Sequence, residues 1–204
     1  MAKLHFFHGV MSSGKTVDLL KMNHNYVSNG RHTILISPEC DDRSGSGRIQ
    51  SGIGISAASI CLSPSDDLFA IVKAEQSPTQ TVSAVLVDEV QFFTPEQIEQ
   101  MSRIVDELGI SVSGFGLRVD AFGNLFPGSK ALIELADSIE EIKQLCFCGK
   151  KATMNMRFDK QGDVVRSGAV IETGGKDKYR SVCRSHWRTI THISEFFSPD
   201  IAAA

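Results

Sequence analysis

The 204-residue chain has no apolar run long enough to span a bilayer, which excludes a helical membrane anchor within it. Its start, Met-Ala-Lys leading into a strand-like segment, lacks the charged leader, apolar stretch and small-residue cleavage site of a secretory signal, so a cytoplasmic protein is expected. Basic excess is missing too. A net charge of −3 and a pI near 6.1 argue against the one-sided basic surface of a duplex-DNA binder, and nucleic acid is not the expected partner. Internal repeats and low-complexity tracts are absent, as is an N-K-x-D motif that would read guanine. Cysteines number five, an odd count, and three fall in the last third at spacings that suggest metal ligands rather than a disulfide framework.

What is present is an alternation of strand-like and helix-like segments, the pattern of βα units around a mainly parallel sheet with helices on both faces. Leu4 to His8 reads as a strand, Gly14 to Asn29 as a helix ending near Gly30, and Thr33 to Ser37 as a strand stopped by Pro38. Cys40 to Arg48 is too polar and glycine-rich for a core element and reads as a loop. A helix is expected over Leu62–Glu75, a buried strand over Val82–Val87, and a helix from the capping-box opening Thr94-Pro95-Glu96-Gln97 to Leu108. Ile110–Gly116 is the next strand, Ser129–Ala136 a short helix and Ser138–Leu145 a last strand. Beyond Leu145 the pattern breaks into short pieces with clustered Cys and His. The expected organisation is an α/β domain over 1–145, a small zinc-binding domain over 146–193 and a tail over 194–204.

Three constellations carry chemistry. Gly9-Val10-Met11-Ser12-Ser13-Gly14-Lys15-Thr16 is a complete G-x-x-x-x-G-K-[ST] loop between a strand and a helix. Its glycines let backbone N–H groups face a triphosphate, Lys15 reaches the β and γ phosphates, and the Thr16 hydroxyl suits Mg²⁺. At the end of the apolar run Val85-Leu86-Val87, Asp88 suits the Mg²⁺ sphere and Glu89 is placed to accept a proton from an attacking hydroxyl. Cys146, Cys148, Cys183 and His186 supply three thiolates and one imidazole, a closed ligand set that implies a structural Zn²⁺. Between the two ligand pairs lies Val170–Tyr179, whose paired glycines could offer main-chain groups to a ligand.

These residues resemble the zinc-containing, cytosolic type of thymidine kinase in its bacterial form. The resemblance covers nearly the whole chain and rests on G-V-M-S-S-G-K-T, D-E-V-Q-F-F, G-L-R-V-D-A-F-G-N-L-F-P-G-S, C-F-C-G-K-K-A and G-G-K-D-K-Y-R-S-V-C-R-S-H. It implies a P-loop NTPase-like fold with a small C-terminal zinc-binding lasso domain. It also implies transfer of the γ-phosphoryl of ATP to the 5′-hydroxyl of thymidine or deoxyuridine with Mg²⁺, homotetramer assembly, and feedback inhibition by dTTP. By the same resemblance Glu89 is the base, and Asp88, Glu89, Val90 and Gln91 join residues 9 to 16 at the nucleotide. Met11, Phe92, Leu117 and Phe126 enclose thymine and sugar. Val170, Ile171, Glu172, Thr173 and Gly174 bind the base, Tyr179 closes the pocket, and Arg43 stands near the phosphates.

The chain departs from the family pattern at two places. Ala121 then Phe122 follow Asp120 where many relatives place an aromatic directly, and the knuckles read C-x-C with a final His186 rather than Cys, variants that bacterial relatives share. Two other readings stay open from the residues alone. One is an ATPase motor or repair protein in which Glu89 polarises water; the other is a zinc-ribbon binding module with a decayed phosphate loop.

Overall fold

Six short strands lie side by side, all parallel, in the order β5-β2-β6-β7-β1-β8 of the computed structural model. They are β1 Leu4–His8, β2 His32–Pro38, β5 Ile60–Leu62, β6 Val82–Val87, β7 Ser111–Gly116 and β8 Ser138–Glu141. The structure describes residues 1–40, 47–77, 80–170 and 178–197. The chain divides into two compact units: one formed by Met1–His8, Gly14–Leu117 and Phe126–Glu141, the other by Gly9–Ser13, Arg118–Leu125 and the chain from Ile142.

In the first unit the sheet is buried on both faces, which is why its central strands are nearly continuous apolar runs rather than alternating ones. Leu4, Phe6, Ile34, Ile36, Val85, Val87 and Val112 share one core with Leu68, Ile98, Met101, Ile104 and Leu132 of three helices. Those helices are α2 Leu68–Glu75, α3 Pro95–Leu108 and α4 Pro127–Leu135. The alternate residues Leu35, Leu86 and Phe115 are equally buried and, by the two-residue repeat of a strand, point to the opposite face. There α1, Lys15–Ser28, runs beside β2, β6 and β7 and buries Leu19 and Leu20.

The helix ends are as the sequence marks them at α1 and α3. Gly14 (φ 93°) and Gly109 (φ 68°) take left-handed conformations at the start of α1 and the end of α3. At α3 the Thr94 hydroxyl accepts from the Gln97 amide at 3.2 Å while the Gln97 side chain accepts from the Thr94 amide at 3.2 Å. The expected helix over Leu62–Glu75 is corrected. Leu62 ends β5, a turn follows in which Asp66 accepts from the Ser63 amide, and the helix opens only after Asp67, whose carboxylate accepts from the Ala70 amide at 2.9 Å. The physical reason is that Ser63 and Asp67 are comparable caps, and the pairing of Leu62 with Pro38 in the sheet leaves the helix to open at Asp67. The last strand ends at Glu141 rather than Leu145, and α4 begins at Pro127 rather than Ser129. A hairpin of β3 Arg48–Gln50 and β4 Ser56–Ala58 was not anticipated.

The second unit is built on an antiparallel ribbon, β9 Met154–Arg157 and β10 Tyr179–Val182, followed by α5 Arg184–Thr189. Its core joins Cys146, Ala152, Met156, Phe158, Val182, Cys183 and Ile190 to Val10 of the glycine loop. So few apolar side chains are a thin core for a free-standing fold. Among the described residues no helix is long and apolar enough to cross a membrane.

Candidate active site and metal centre

Within the first unit the end of β6 lies against the start of α1. The Thr16 hydroxyl donates to Asp88 Oδ2 at 3.1 Å, so the two side chains expected to hold Mg²⁺ are brought together, and Lys15 beside them is buried to 7% exposure. A hydroxyl and a carboxylate are the hard oxygen donors that such a cation takes. Burial, and then the neighbouring Glu89 charge, push the Asp88 carboxyl up to about 7, against the pull of the Glu89 amide, the Thr16 hydroxyl and Lys15. A buried carboxylate held this far above its ordinary range fits a site for added positive charge.

Glu89 departs from the strand with φ 47° and ψ 42°, a left-handed conformation at a non-glycine residue. The reversal turns the chain into a short 3₁₀ turn, Val90–Phe92. Asp88 Oδ1 accepts from the Glu89 amide at 3.0 Å, which supports the reversal. Gln91 is buried, and its side-chain nitrogen donates to Glu89 Oε2 at 2.6 Å. Its oxygen accepts from the Leu117 amide at 2.9 Å. The Phe92 and Phe126 rings meet edge to face, 5.9 Å between centroids, and the Leu117 carbonyl accepts from the Ser129 hydroxyl at 2.6 Å. Glu89, Gln91, Phe92, Leu117 and Phe126, five of the residues expected around the nucleotide and nucleoside, thus belong to this unit.

Within the second unit the first half of the glycine loop is fixed by the β9–β10 ribbon. The Met11 amide donates to Asn155 Oδ1 at 2.8 Å and its carbonyl accepts from Ser181 at 2.7 Å. Ser12, like Glu89, takes a positive φ, 58°. Gly9 has no room for a side chain: a Cβ there would lie 2.5 Å from Ser13 Oγ and 2.7 Å from the Ile142 carbonyl. Ser13 Oγ is buried and has no hydrogen-bond partner among the described residues. An orphaned donor in a glycine loop is chemically suited to an anion.

Cys146, Cys148, Cys183 and His186 offer ligand atoms that all lie within 4.8 Å of one another. Cys146 Sγ and His186 Nδ1 are 3.3 Å apart, close to the spacing of about 3.5 Å that tetrahedral bonds of roughly 2.3 Å to sulfur and 2.0 Å to nitrogen impose. The first knuckle turns on Gly149 (φ 79°), whose amide donates to the Cys146 carbonyl at 2.9 Å. Cys183 caps α5 and places His186 one turn on; the Phe147 ring stacks on the imidazole at 4.5 Å. The cluster fits a zinc ion.

The expected loop from Val170 to Tyr179 is described only at its ends. Val170 is exposed, and Tyr179 pairs with Arg157 in the ribbon. Ile171, Glu172, Thr173, Gly174 and Arg43 lie outside the described residues. Asn155, Arg157, Ser181 and Trp187 were not singled out by sequence, yet each holds a loop. Arg157 donates to the Ala169 carbonyl at 2.6 Å and lies over the Phe122 ring, while the Trp187 indole donates to the Ala121 carbonyl at 3.0 Å. A buried Asn or Arg in a short amphipathic strand was the available signal, too common to be decisive.

Comparison with known proteins agrees with this chemistry. A family model described as thymidine kinase matches residues 2–187. A thymidine kinase of Jannaschia sp. is 47% identical over 188 residues, covering 92% of this chain and 96% of its own. Those of Ruegeria pomeroyi and Idiomarina loihiensis are 45% and 44% identical, covering 94% and 92% of this chain and 96% and 97% of theirs.

Proposed function

Because the chain belongs to the thymidine kinase family, we propose that it transfers the γ-phosphoryl group of ATP to the 5′-hydroxyl of thymidine or deoxyuridine, giving the nucleoside monophosphate and ADP in nucleotide salvage. The observation that carries the chemistry is the strand end where Asp88 meets Thr16 and Glu89 turns out of the sheet.

Phosphoryl transfer requires alignment and neutralisation of charge more than covalent help. Residues 9 to 16 cradle the donor phosphates, with Lys15 at the β and γ groups. Thr16 and Asp88 would hold Mg²⁺, which would supply positive charge to offset that of the phosphates. Glu89 accepts the proton of the acceptor hydroxyl as its oxygen attacks phosphorus. Val90 and Gln91 complete the nucleotide side in this reading, and Arg43 stands near the phosphates. Met11, Phe92, Leu117 and Phe126 surround the nucleoside, the 170–174 stretch binds its base through the main chain, and Tyr179 closes over it. Zn²⁺ on Cys146, Cys148, Cys183 and His186 is structural. The domain division at 145 and 193, homotetramer assembly, a cytoplasmic location and feedback inhibition by dTTP belong to the same proposal.

The test is ADP release with ATP and each nucleoside in turn. Release that requires thymidine or deoxyuridine supports the reading; release without nucleoside that rises with single-stranded DNA would replace it with an ATPase.

A further inference from the structure

We infer that Gln91 is a positioning residue for the base: through Glu89 it ties the proton acceptor to the backbone at Leu117, where the acceptor nucleoside is expected. The inference rests on the kinase reading above and gives the Gln91 side chain a task inside the protein, leaving its main chain to the nucleotide side.

Both ends of the Gln91 side chain are engaged inside the protein. The nitrogen donates to Glu89 Oε2 at 2.6 Å and the oxygen accepts from the Leu117 amide at 2.9 Å, with the residue only 2% exposed. The neighbouring backbone is shaped around it. A Cβ on Gly116 would fall 2.4 Å from Gln91 Oε1 and 2.8 Å from Val90 Cγ1, so a side chain there would displace the amide. Glu89 sits in a left-handed conformation at the mouth of a strand, and the Gln91 donor fixes the direction of one of its carboxylate oxygens. A neutral amide donor fixes the carboxylate while leaving it a base, which a lysine or arginine at the same place would weaken by lowering its proton affinity. Met would fill the space but hold nothing. Because the same amide also accepts from Leu117, a shift of that backbone moves the base with it.

The experiment is a double-mutant cycle on the full chain, with kcat and KM measured for ATP and thymidine. The proteins are wild type, Glu89→Ala, Gln91→Met, Gln91→Glu and each Gln91 variant combined with Glu89→Ala. Gln91→Glu keeps the acceptor for Leu117 but sets a second carboxylate against Glu89 in place of the donor; Gln91→Met loses both hydrogen bonds without adding charge. Both are expected to lower kcat by about 100-fold, the scale of a misplaced catalytic group, with KM for ATP little changed. In the Glu89→Ala background neither should cost anything more. Losses that multiply in the double variants, or a raised KM for ATP at unchanged kcat, would overturn the inference and leave the kinase reading intact. Wild-type turnover in Glu89→Ala would overturn the base assignment and the inference together. No nucleoside-dependent ADP from the wild type would sink the kinase reading itself.

Discussion

Glu89 occupies a backbone conformation that costs a non-glycine residue about 1–3 kcal/mol, a strain that persists where the surroundings over-determine it. Here the surroundings are Asp88, which receives the Glu89 amide, and Gln91, which holds the carboxylate. Glu89→Gln changes no shape and keeps a partner for Gln91, so the variant is expected to fold and bind ATP. Loss of the proton acceptor should lower kcat by about 100- to 10,000-fold. Titration calorimetry with ATP and a turnover assay on the same preparation check both halves. At Gly9 the constraint is steric rather than chemical. Gly9→Ala sets a methyl against a backbone carbonyl that cannot rotate away, and ATP binding should weaken while α1 and the sheet stay intact by circular dichroism.

Among the elements, α3 shows how local chemistry sets an end. Thr94→Ala removes the hydroxyl that accepts the Gln97 amide and should cost about 1 kcal/mol, a fall in Tm of about 2–4 °C with kcat unchanged. The turn at Thr191–Glu195 is tied differently. The backbone amides of Thr191 and then His192, with the Thr191 hydroxyl, hold the Glu195 carboxyl below its ordinary value of 4.5. A lowered folded value means the contribution is complete above the unfolded value and lost as pH falls through the folded one. Hydrogen exchange at those two amides should therefore quicken on acidification relative to Glu195→Gln, which has no such dependence.

These two segments also show what could be read in the chain. The α3 cap is a local code, Thr, Pro and Gln at fixed offsets, and the phosphate loop and the C-x-C knuckle are codes of the same kind. The start of α2 was misplaced because Ser63-Pro64 and Asp66-Asp67 both carry start signals, and only the packing of Leu62 into β5 decides between them. The support of Met11 by Asn155 and Ser181 spans more than a hundred residues, and no spacing announces it.

At the scale of the whole molecule the two units differ in how they gain stability. The first has a core drawn from a doubly covered sheet and three helices; the second, among the described residues, has a cluster of eight buried residues in which Cys146 and Cys183 are themselves two of the four metal ligands. Zinc removal by a chelator is expected to unfold β9, β10 and α5 while protection from hydrogen exchange persists in β1, β2, β6 and β7. Equal loss across both sets of strands would show that the metal supports more than its own unit.

Val10 belongs to the same core cluster as Cys146 and Cys183, and Met11 is strung between two ribbon residues. Inheritance of parts follows this packing rather than the order of the chain. A chimera that exchanges the C-terminal segment between two such proteins at a single crossover would pair one parent's loop with the other parent's ribbon. Compatible exchange would have to carry residues 9–13 and 118–125 along with it, three separate stretches of the gene for one unit in the fold.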